Sequence, residues 1–311
     1  VRIVTPGTNL NTQSMDETRN NYLMSIAYFQ GKIGISVADV TTGDYYLTEV
    51  EDNKKLLDEI MKYHPSEIIC NDAFTVSGMD LADLKDRLNI AIYSLKPFYY
   101  DEDRCRKSLL KHFHVTSLQG MGIEDFPSGL IAAGSLMQYL TNTQKIPLSH
   151  FTHLYPYLTS RYMLLDSSTR RNLELTETLR EKQKRGSLLG VLDKTKTAMG
   201  ARTLRQYIEQ PLIDKSEIEK RLDGISELSE KAMLRDEIRE YLNPIYDLER
   251  LLGKVSYKTA NPRDLLAFAG SLKMLPSIKV LLNDFSSDIL KKIQEETDDL
   301  TDVCTLIERA I

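Results

Sequence analysis

The sequence predicts an α/β domain over residues 1–156 followed by an all-α domain over residues 157–311. Three observations carry this expectation. In the first half, short strand-like runs alternate with stretches of helical period. From about Arg161 onward nearly every apolar residue recurs at helical spacing. Finally, 311 residues with 41% hydrophobic and 27% charged content describe a globular chain of about two domains.

The first-half elements follow in order. Tyr22 to Phe29, Ile33 to Val40 and Asp44 to Val50 read as strands, joined by Gln30-Gly31-Lys32 and Thr41-Thr42-Gly43. Links this short suit antiparallel hairpins. Ile33, Ile35 and Val37 alternate with small residues, as in a strand covered on at least one face. A helix follows from Asn53 to Tyr63, with Leu56, Leu57, Ile60 and Met61 on one face and His64-Pro65 as its stop. Glu67 to Cys70 is a strand, Leu81, Leu84 and Leu88 mark a helix, and Ile90 to Leu95 a further strand. Three antiparallel strands, helix, strand, helix, strand is the order of the ribonuclease H-like fold. A helix from Pro127 to about Asn142 and a loop through Pro147 and Pro156 lead out of the domain.

In the second half one short apolar run, Tyr162 to Leu165, precedes a series of helices. Ser216 with Glu219 forms a capping-box pattern, opening a helix whose apolar face is Ile218, Leu222, Ile225 and Leu228. Leu234, Ile238 and Tyr241 form the next face, which ends at Asn243-Pro244. Asn261-Pro262 is an N-cap followed by proline at the first helical position, ahead of Leu265, Ala269 and Leu272. A last helix is expected from about Ser287 to the end, with Ile293, Leu300 and Ile307 seven residues apart.

Net charge of −5 argues against a surface mainly devoted to coating nucleic acid. Cys70, Cys105 and Cys304 are odd in number and widely spaced, which predicts neither a disulfide framework nor a zinc site and points to a reducing, cytoplasmic location. No apolar run approaches the ~20 residues of a membrane helix, so no membrane association is expected. The opening Val1-Arg2-Ile3-Val4 lacks an initiator Met, and the amphipathic closing pattern through Ile311 lacks a cap. Both ends are expected to be cuts through a longer polypeptide.

A ribonuclease H-like nuclease would cluster carboxylates around two divalent metals. Asp39, Asp44 and Asp72 fall at strand ends, but the first strand carries no acid, and aspartates at strand ends commonly bond local amides. Gly186-Ser187-Leu188-Leu189-Gly190 lacks the Lys-Ser/Thr that completes a phosphate loop, and reads as a helix start, with Lys194-Thr195 inside a helical pattern. The pairs His112/His114 and His150/His153 lack cysteine or carboxylate company and are expected to be chance surface placements. Nothing nominates a nucleophile. Residues 161–215 hold 12 Lys/Arg against 7 Asp/Glu, including the run Arg180 to Arg185, whereas residues 281–311 hold 3 against 8. Most such basic runs are solvated surface, and this one lacks stacking aromatics. A metal-dependent nuclease and a stand-alone DNA-binding module are therefore the alternatives to a non-catalytic module.

Several segments resemble the MutS family. Arg2 to Thr8 resembles the family's link out of its mismatch-binding domain, and Leu165 to Leu175 its entry to the core domain. Gly186 to Leu212, reading GSLLGVLDKTKTAMGARTLRQYIEQPL, resembles a long family signature, and Asp247-Leu248-Glu249-Arg250 and Pro262-Arg263-Asp264-Leu265 follow at family-like spacing. The resemblance implies a non-catalytic ribonuclease H-like connector domain and part of a helical core with levers. It also implies that the mismatch-reading Phe-x-Glu motif, the DNA clamp and the ATPase lie outside this sequence. No cofactor is then expected here, ATP and Mg²⁺ belonging to the full-length protein, which would form a homodimer on mismatched double-stranded DNA. This stretch would couple DNA binding to the ATPase and engage MutL. The matching MutL-contact positions are Lys107 and Ser108, on a helix expected over about Arg104 to Phe113, where the family often has glutamines.

Overall fold

A computed structural model describes residues 3–10 and 15–311. Val1 and Arg2, which open the expected N-terminal link, lie outside the described residues. The chain divides into two compact units, Val1–Ser160 with Leu164–Asn172, and Arg161–Met163 with Leu173–Ile311.

The first unit is built on strands β1 (Leu23–Phe29), β2 (Lys32–Ala38), β3 (Tyr45–Val50), β4 (Glu67–Cys70), β5 (Ala91–Ser94) and β6 (Tyr155–Pro156). They form one mixed sheet in the order β5-β4-β1-β2-β3-β6. The hairpins β1–β2 and β2–β3 are antiparallel, with Met24 opposite Val37 and Ile35 opposite Thr48, as the short links require. β4 and β5 then add in parallel, β4 beside β1 and β5 beside β4. Such parallel neighbours need crossover helices, and these are α1 (Asn53–Tyr63), α2 (Asp72–Thr75) and α3 (Leu81–Asp86). Asp52 starts α1 by accepting from the Lys55 amide, and His64 stops it in the left-handed conformation.

Because side chains alternate along a strand, β1 serves two faces. Met24 and Ile26 join Ile35, Val37, Leu56, Ile60, Ile68 and Phe74 in the core beneath α1 and α2. The opposite face meets α5 (Pro127–Gln144), where Ser25 and Ser135 hydroxyls lie 2.7 Å apart and Tyr45 donates to the Ala133 carbonyl at 2.5 Å. Gly34 permits this approach: a Cβ there would sit 1.9 Å from the Ser128 carbonyl oxygen. Outside α5 lies α4 (Glu102–Phe113), which buries Cys105 and Leu109. Two short elements have no counterpart in the expectations, α2 and β6. The first is a single turn, too short to carry a period. The second is a two-residue strand inside the expected exit loop, made only by pairing Tyr46 with Tyr155 and Leu47 with Pro156.

Helix α6 (Ser167–Asn172) belongs to the first unit, against α1. The second unit contains α7 (Leu188–Leu192), α8 (Ala198–Glu209), α9 (Lys215–Glu230), α10 (Ala232–Leu242) and α11 (Leu248–Ser256). Continuing along the chain are α12 (Pro262–Leu272), α13 (Leu275–Leu282), α14 (Asp288–Glu296) and α15 (Thr301–Ala310). The Tyr162 to Leu165 run makes one antiparallel bridge, Tyr162 to Leu212, rather than a strand. Asn261 caps α12, as expected, and Asp264 completes a capping box that the sequence reading did not name.

Four expectations are corrected. Asp214, not Ser216, caps α9, accepting from the Glu217 amide at 2.9 Å, so Ser216 falls inside the first turn. The apolar stripe of α9 does not enter the core as a whole: Ile218, Leu222 and Ile225 are 36%, 55% and 61% exposed, while Leu228 packs inward and Gly224 meets Ile289 of α14. The expected last helix is two helices, because Leu300 adopts φ 47° and its amide bonds the Asp298 carboxylate. Leu300 and Ile307 then pack with Cys304 against Ala269 and Leu272, and Ile293 stays on α14. Lastly, residues 262–282 are long and apolar enough by composition to cross a membrane. They form two helices separated at Lys273-Met274, with Pro276 in the first turn of α13, and feed Leu272, Ile278 and Leu282 into the cores of the second unit.

Candidate functional site

The three aspartates weighed as metal ligands are not gathered. Leu23 opposite Ala38 puts Asp39 beside the start of β1, whereas Ile26 beside Cys70 puts Asp72 near its other end, level with Tyr28. At ~3.3 Å per residue that separates them by about 20 Å along the strand. Asp39 is fully buried and its carboxylate is consumed locally, by the Thr41 amide and hydroxyl at 2.8 and 2.7 Å and by Asn20 and the Asn21 amide at 3.0 and 2.9 Å. Asp44 accepts from Asn20 and Thr42, both at 2.8 Å. These two residues shape the β2–β3 turn, and Asp72 bonds the Ser94 hydroxyl. Among the described residues no three His, Cys, Asp or Glu side chains group as metal ligands do.

The expected surface placement holds for one member of each histidine pair, His114 and His153, while His112 and His150 turn inward and serve packing. His112 and His150 bond the backbone carbonyls of Phe151 and Val40 at 2.8 and 3.0 Å. Burial pushes both below their ordinary value, His150 to about 4.

The glycine-rich segment is a helix start. Ser187 caps α7, accepting from the Gly190 amide at 3.1 Å. Gly190 itself packs so closely that an added Cβ would lie 2.1 Å from the Lys184 carbonyl oxygen. Lys194-Thr195 lies in the link between α7 and α8, not in a helix, because Asp193 ends α7 and binds the Thr195 amide and hydroxyl. Leu188 and Leu189 amides bond the carbonyls of Glu174 and Leu175, which brings two of the family-like segments together.

The organising cluster of the second unit escaped sequence reasoning. Arg202 on α8 is 6% exposed and grips Asp247 through two bonds, 2.6 and 2.8 Å, with Glu249 at 2.5 Å. Asp247 also caps α11 through the Arg250 amide. Burial works against the guanidinium charge, but the two carboxylates outweigh it and hold Arg202 above its ordinary range. Both halves lie within segments already singled out, Gly186–Leu212 and Asp247–Arg250, yet a pairing across 45 residues leaves no periodic mark. The same uses absorb part of the basic excess: Arg205 pairs with Glu209, Lys182 with Glu177 and Lys184 with Asp193.

Lys107 and Ser108 sit on α4, Lys107 exposed and Ser108 half-buried. Asp101 caps this helix through the Arg104 amide, and His114 ends it.

Comparison with known proteins follows the two units. The sequence model of MutS domain II matches residues 21–152, and that of MutS domain III matches residues 168–311. The DNA mismatch repair protein MutS of Lachnoclostridium phytofermentans is 63% identical over 311 residues, covering 100% of this chain and 33% of that protein. Those of Ruminiclostridium cellulolyticum and Acetivibrio thermocellus are 45% and 42% identical over 314 residues, again covering 100% of this chain and 36% of each relative. The chain thus spans about a third of the length of these curated relatives. Matched across both of its units, the chain belongs to the MutS family of DNA mismatch repair proteins.

Proposed function

We propose that these residues are a non-catalytic module that couples mismatch binding to ATP hydrolysis in a MutS-family protein and engages MutL. The observation that carries this reading is the Arg202 fork. The segment of strongest family likeness is built into a tie between α8 and α11 rather than presented to a ligand. A helix array held by a bidentate buried pair resists bending at that joint, as a transmitting element must. The first unit we assign to the ribonuclease H-like class; the run β3-β2-β1-β4-β5, antiparallel then parallel, supports it. The functional boundary between connector and core is placed at 156/157. ATP with Mg²⁺, mismatched double-stranded DNA and a homodimeric assembly are assigned to the full-length protein. A reducing cytoplasmic setting agrees with three free, buried cysteines. MutL is assigned to the outer face of α4 at Lys107 and Ser108.

The test uses full-length protein carrying Arg202→Lys, which keeps the charge and loses the fork. Mismatch affinity should change by less than a few-fold while the mismatch-dependent response of nucleotide exchange drops at least tenfold. An unchanged response would remove the coupling role. In the competing nuclease reading, the chain cleaves DNA with Mg²⁺ or Mn²⁺ and loses that cleavage on Asp39→Asn or Asp72→Asn.

A further inference from the structure

We infer that Tyr157, Glu59 and Lys62 form a releasable latch on the link that leaves the first unit, an inference that rests on the coupling role proposed above. Glu59 and Lys62 stand about one turn apart on α1, and such a pair ordinarily lies in water on a helix face. Here both side chains are covered, 9% and 5% exposed, with the ammonium 2.8 Å from the carboxylate. The residue that follows β6 lies against both. The Tyr157 hydroxyl donates to the same Glu59 oxygen at 2.5 Å, and its ring centroid is 4.3 Å from the Lys62 ammonium. Tyr63 adds a second ring, 4.7 Å from that ammonium. Burial and the Glu59 carboxylate push the Tyr157 phenol up, so it stays the donor.

The backbone of Tyr157 is held as well. Its amide bonds the Leu47 carbonyl at 3.0 Å, and its carbonyl accepts from the Thr48 hydroxyl at 2.6 Å. The hold ends there: Leu158 is 62% exposed, and Arg161–Met163 belong to the second unit. On the other side stands β6, two residues at the edge of the sheet, with Tyr155 52% exposed. A strand this short adds little stability of its own. Tyr157 is therefore the principal tie of the link to this unit.

The chemistry of the tie suits it to open. A link seated in an apolar socket bares that socket when it leaves, at about 25 cal/mol per Å². Glu59 and Lys62 instead lose hydration when Tyr157 covers them and recover it when Tyr157 lifts, becoming an ordinary surface pair. Docked and released states then lie close in free energy, which is what an element biased by distant binding events requires. A reactive-lysine site is the poorer reading, because both charges are covered and already spent on each other.

The experiment follows hydrogen exchange in full-length protein, on a peptide spanning Leu154–Ser160, beside mismatch-dependent nucleotide exchange. Tyr157→Phe should speed amide exchange there about tenfold, the loss of one hydrogen bond to a charged group, and lower the nucleotide response several-fold. Glu59→Leu/Lys62→Met replaces the pair with apolar groups of similar size and should slow the same amide exchange. It should also blunt the response, since a latch that stays shut signals no better than one that stays open. Tyr45→Phe, which removes another buried hydroxyl bond of this unit, should change neither readout. Faster amide exchange in Glu59→Leu/Lys62→Met, as in any damaged core, overturns the inference, and so does a Tyr45→Phe protein that matches Tyr157→Phe in both readouts. Amide exchange altered as expected with the nucleotide response intact overturns it too. In that case a response still lost in Arg202→Lys keeps the coupling role standing, and a response intact in Arg202→Lys removes both.

Discussion

Arg202 shows how much one side chain decides. Its guanidinium satisfies Asp247 and Glu249 in a nearly dry site, and Asp247 at the same time caps α11. Arg202→Ala would leave the buried Asp247 carboxylate with the Arg250 amide and, at 3.7 Å, the Arg250 guanidinium, a partial form of a lesion that in full costs about 3–5 kcal/mol. Glu249 is half solvated, which places the expected loss nearer the lower end. Urea unfolding of the second unit should register it as a lower midpoint with an unchanged slope. Arg202→Lys should recover only part, since an ammonium cannot form the fork. A midpoint within error of the parent for Arg202→Ala would mean that the cluster holds nothing together. Residues of this kind were legible as members of suggestive motifs, but their partners were not. Asp39 teaches the converse: its local sequence, Asp39-Val40-Thr41-Thr42-Gly43, already predicted a turn-shaping acid, because the bonds it makes to Thr41 span two residues.

Among elements, those whose pattern repeats over several turns were read well. Helix α1 runs from Asn53 to Tyr63 as periodicity and its stop signal predict, and α12 opens at the Asn261-Pro262 cap. Those that depend on a neighbour were not. β6 exists only against the edge of β3, and the break between α14 and α15 depends on Leu300 entering the left-handed region to reach the α12 core. The tightest joint is that of β2 and α5 at Gly34. Gly34→Ala should destabilise the first unit by ~1–3 kcal/mol or more, the range for overpacking a filled interior. Here the neighbour in the way is the Ser128 backbone, which cannot rotate aside. Thermal unfolding of the first unit would show the loss, and a melting temperature equal to that of the parent would contradict this packing. Gly31→Ala is not a matching control, since Gly31 has open space around it but a φ of +78°.

The pH response belongs to the molecule as a whole. His112 and His150 are both held below the ordinary value of about 6.5 by burial, His150 to about 4, with Asp39 acting weakly in the opposite sense on His150. The folded state thus binds fewer protons than the unfolded one, so the stability they contribute is complete above about pH 6.5 and is lost as pH falls toward 4. Carboxylates held low by partners, such as Glu227 beside Lys231 and the amides of Ser286 and Ser287, add their loss only below about pH 4.5. Urea midpoints at pH 7.5 and 5 should differ by an amount equivalent to about 2 kcal/mol for His150 alone. His150→Asn should make the profile shallower across that window. A parallel profile in the variant would show that His150 is protonated in the folded protein.

By itself the sequence determined the class of each half, the three-strand meander, the Asn261 cap of α12 and the family, because each rests on contacts between residues near in the chain or on a long contiguous likeness. The tertiary structure alone decided which apolar face of α9 is covered, that Arg202 meets Asp247, and that Asp39 and Asp72 stand at opposite ends of β1. Those outcomes depend on how separate elements pack, and burial, register and charge pairing across such distances are set by space rather than by spacing along the chain.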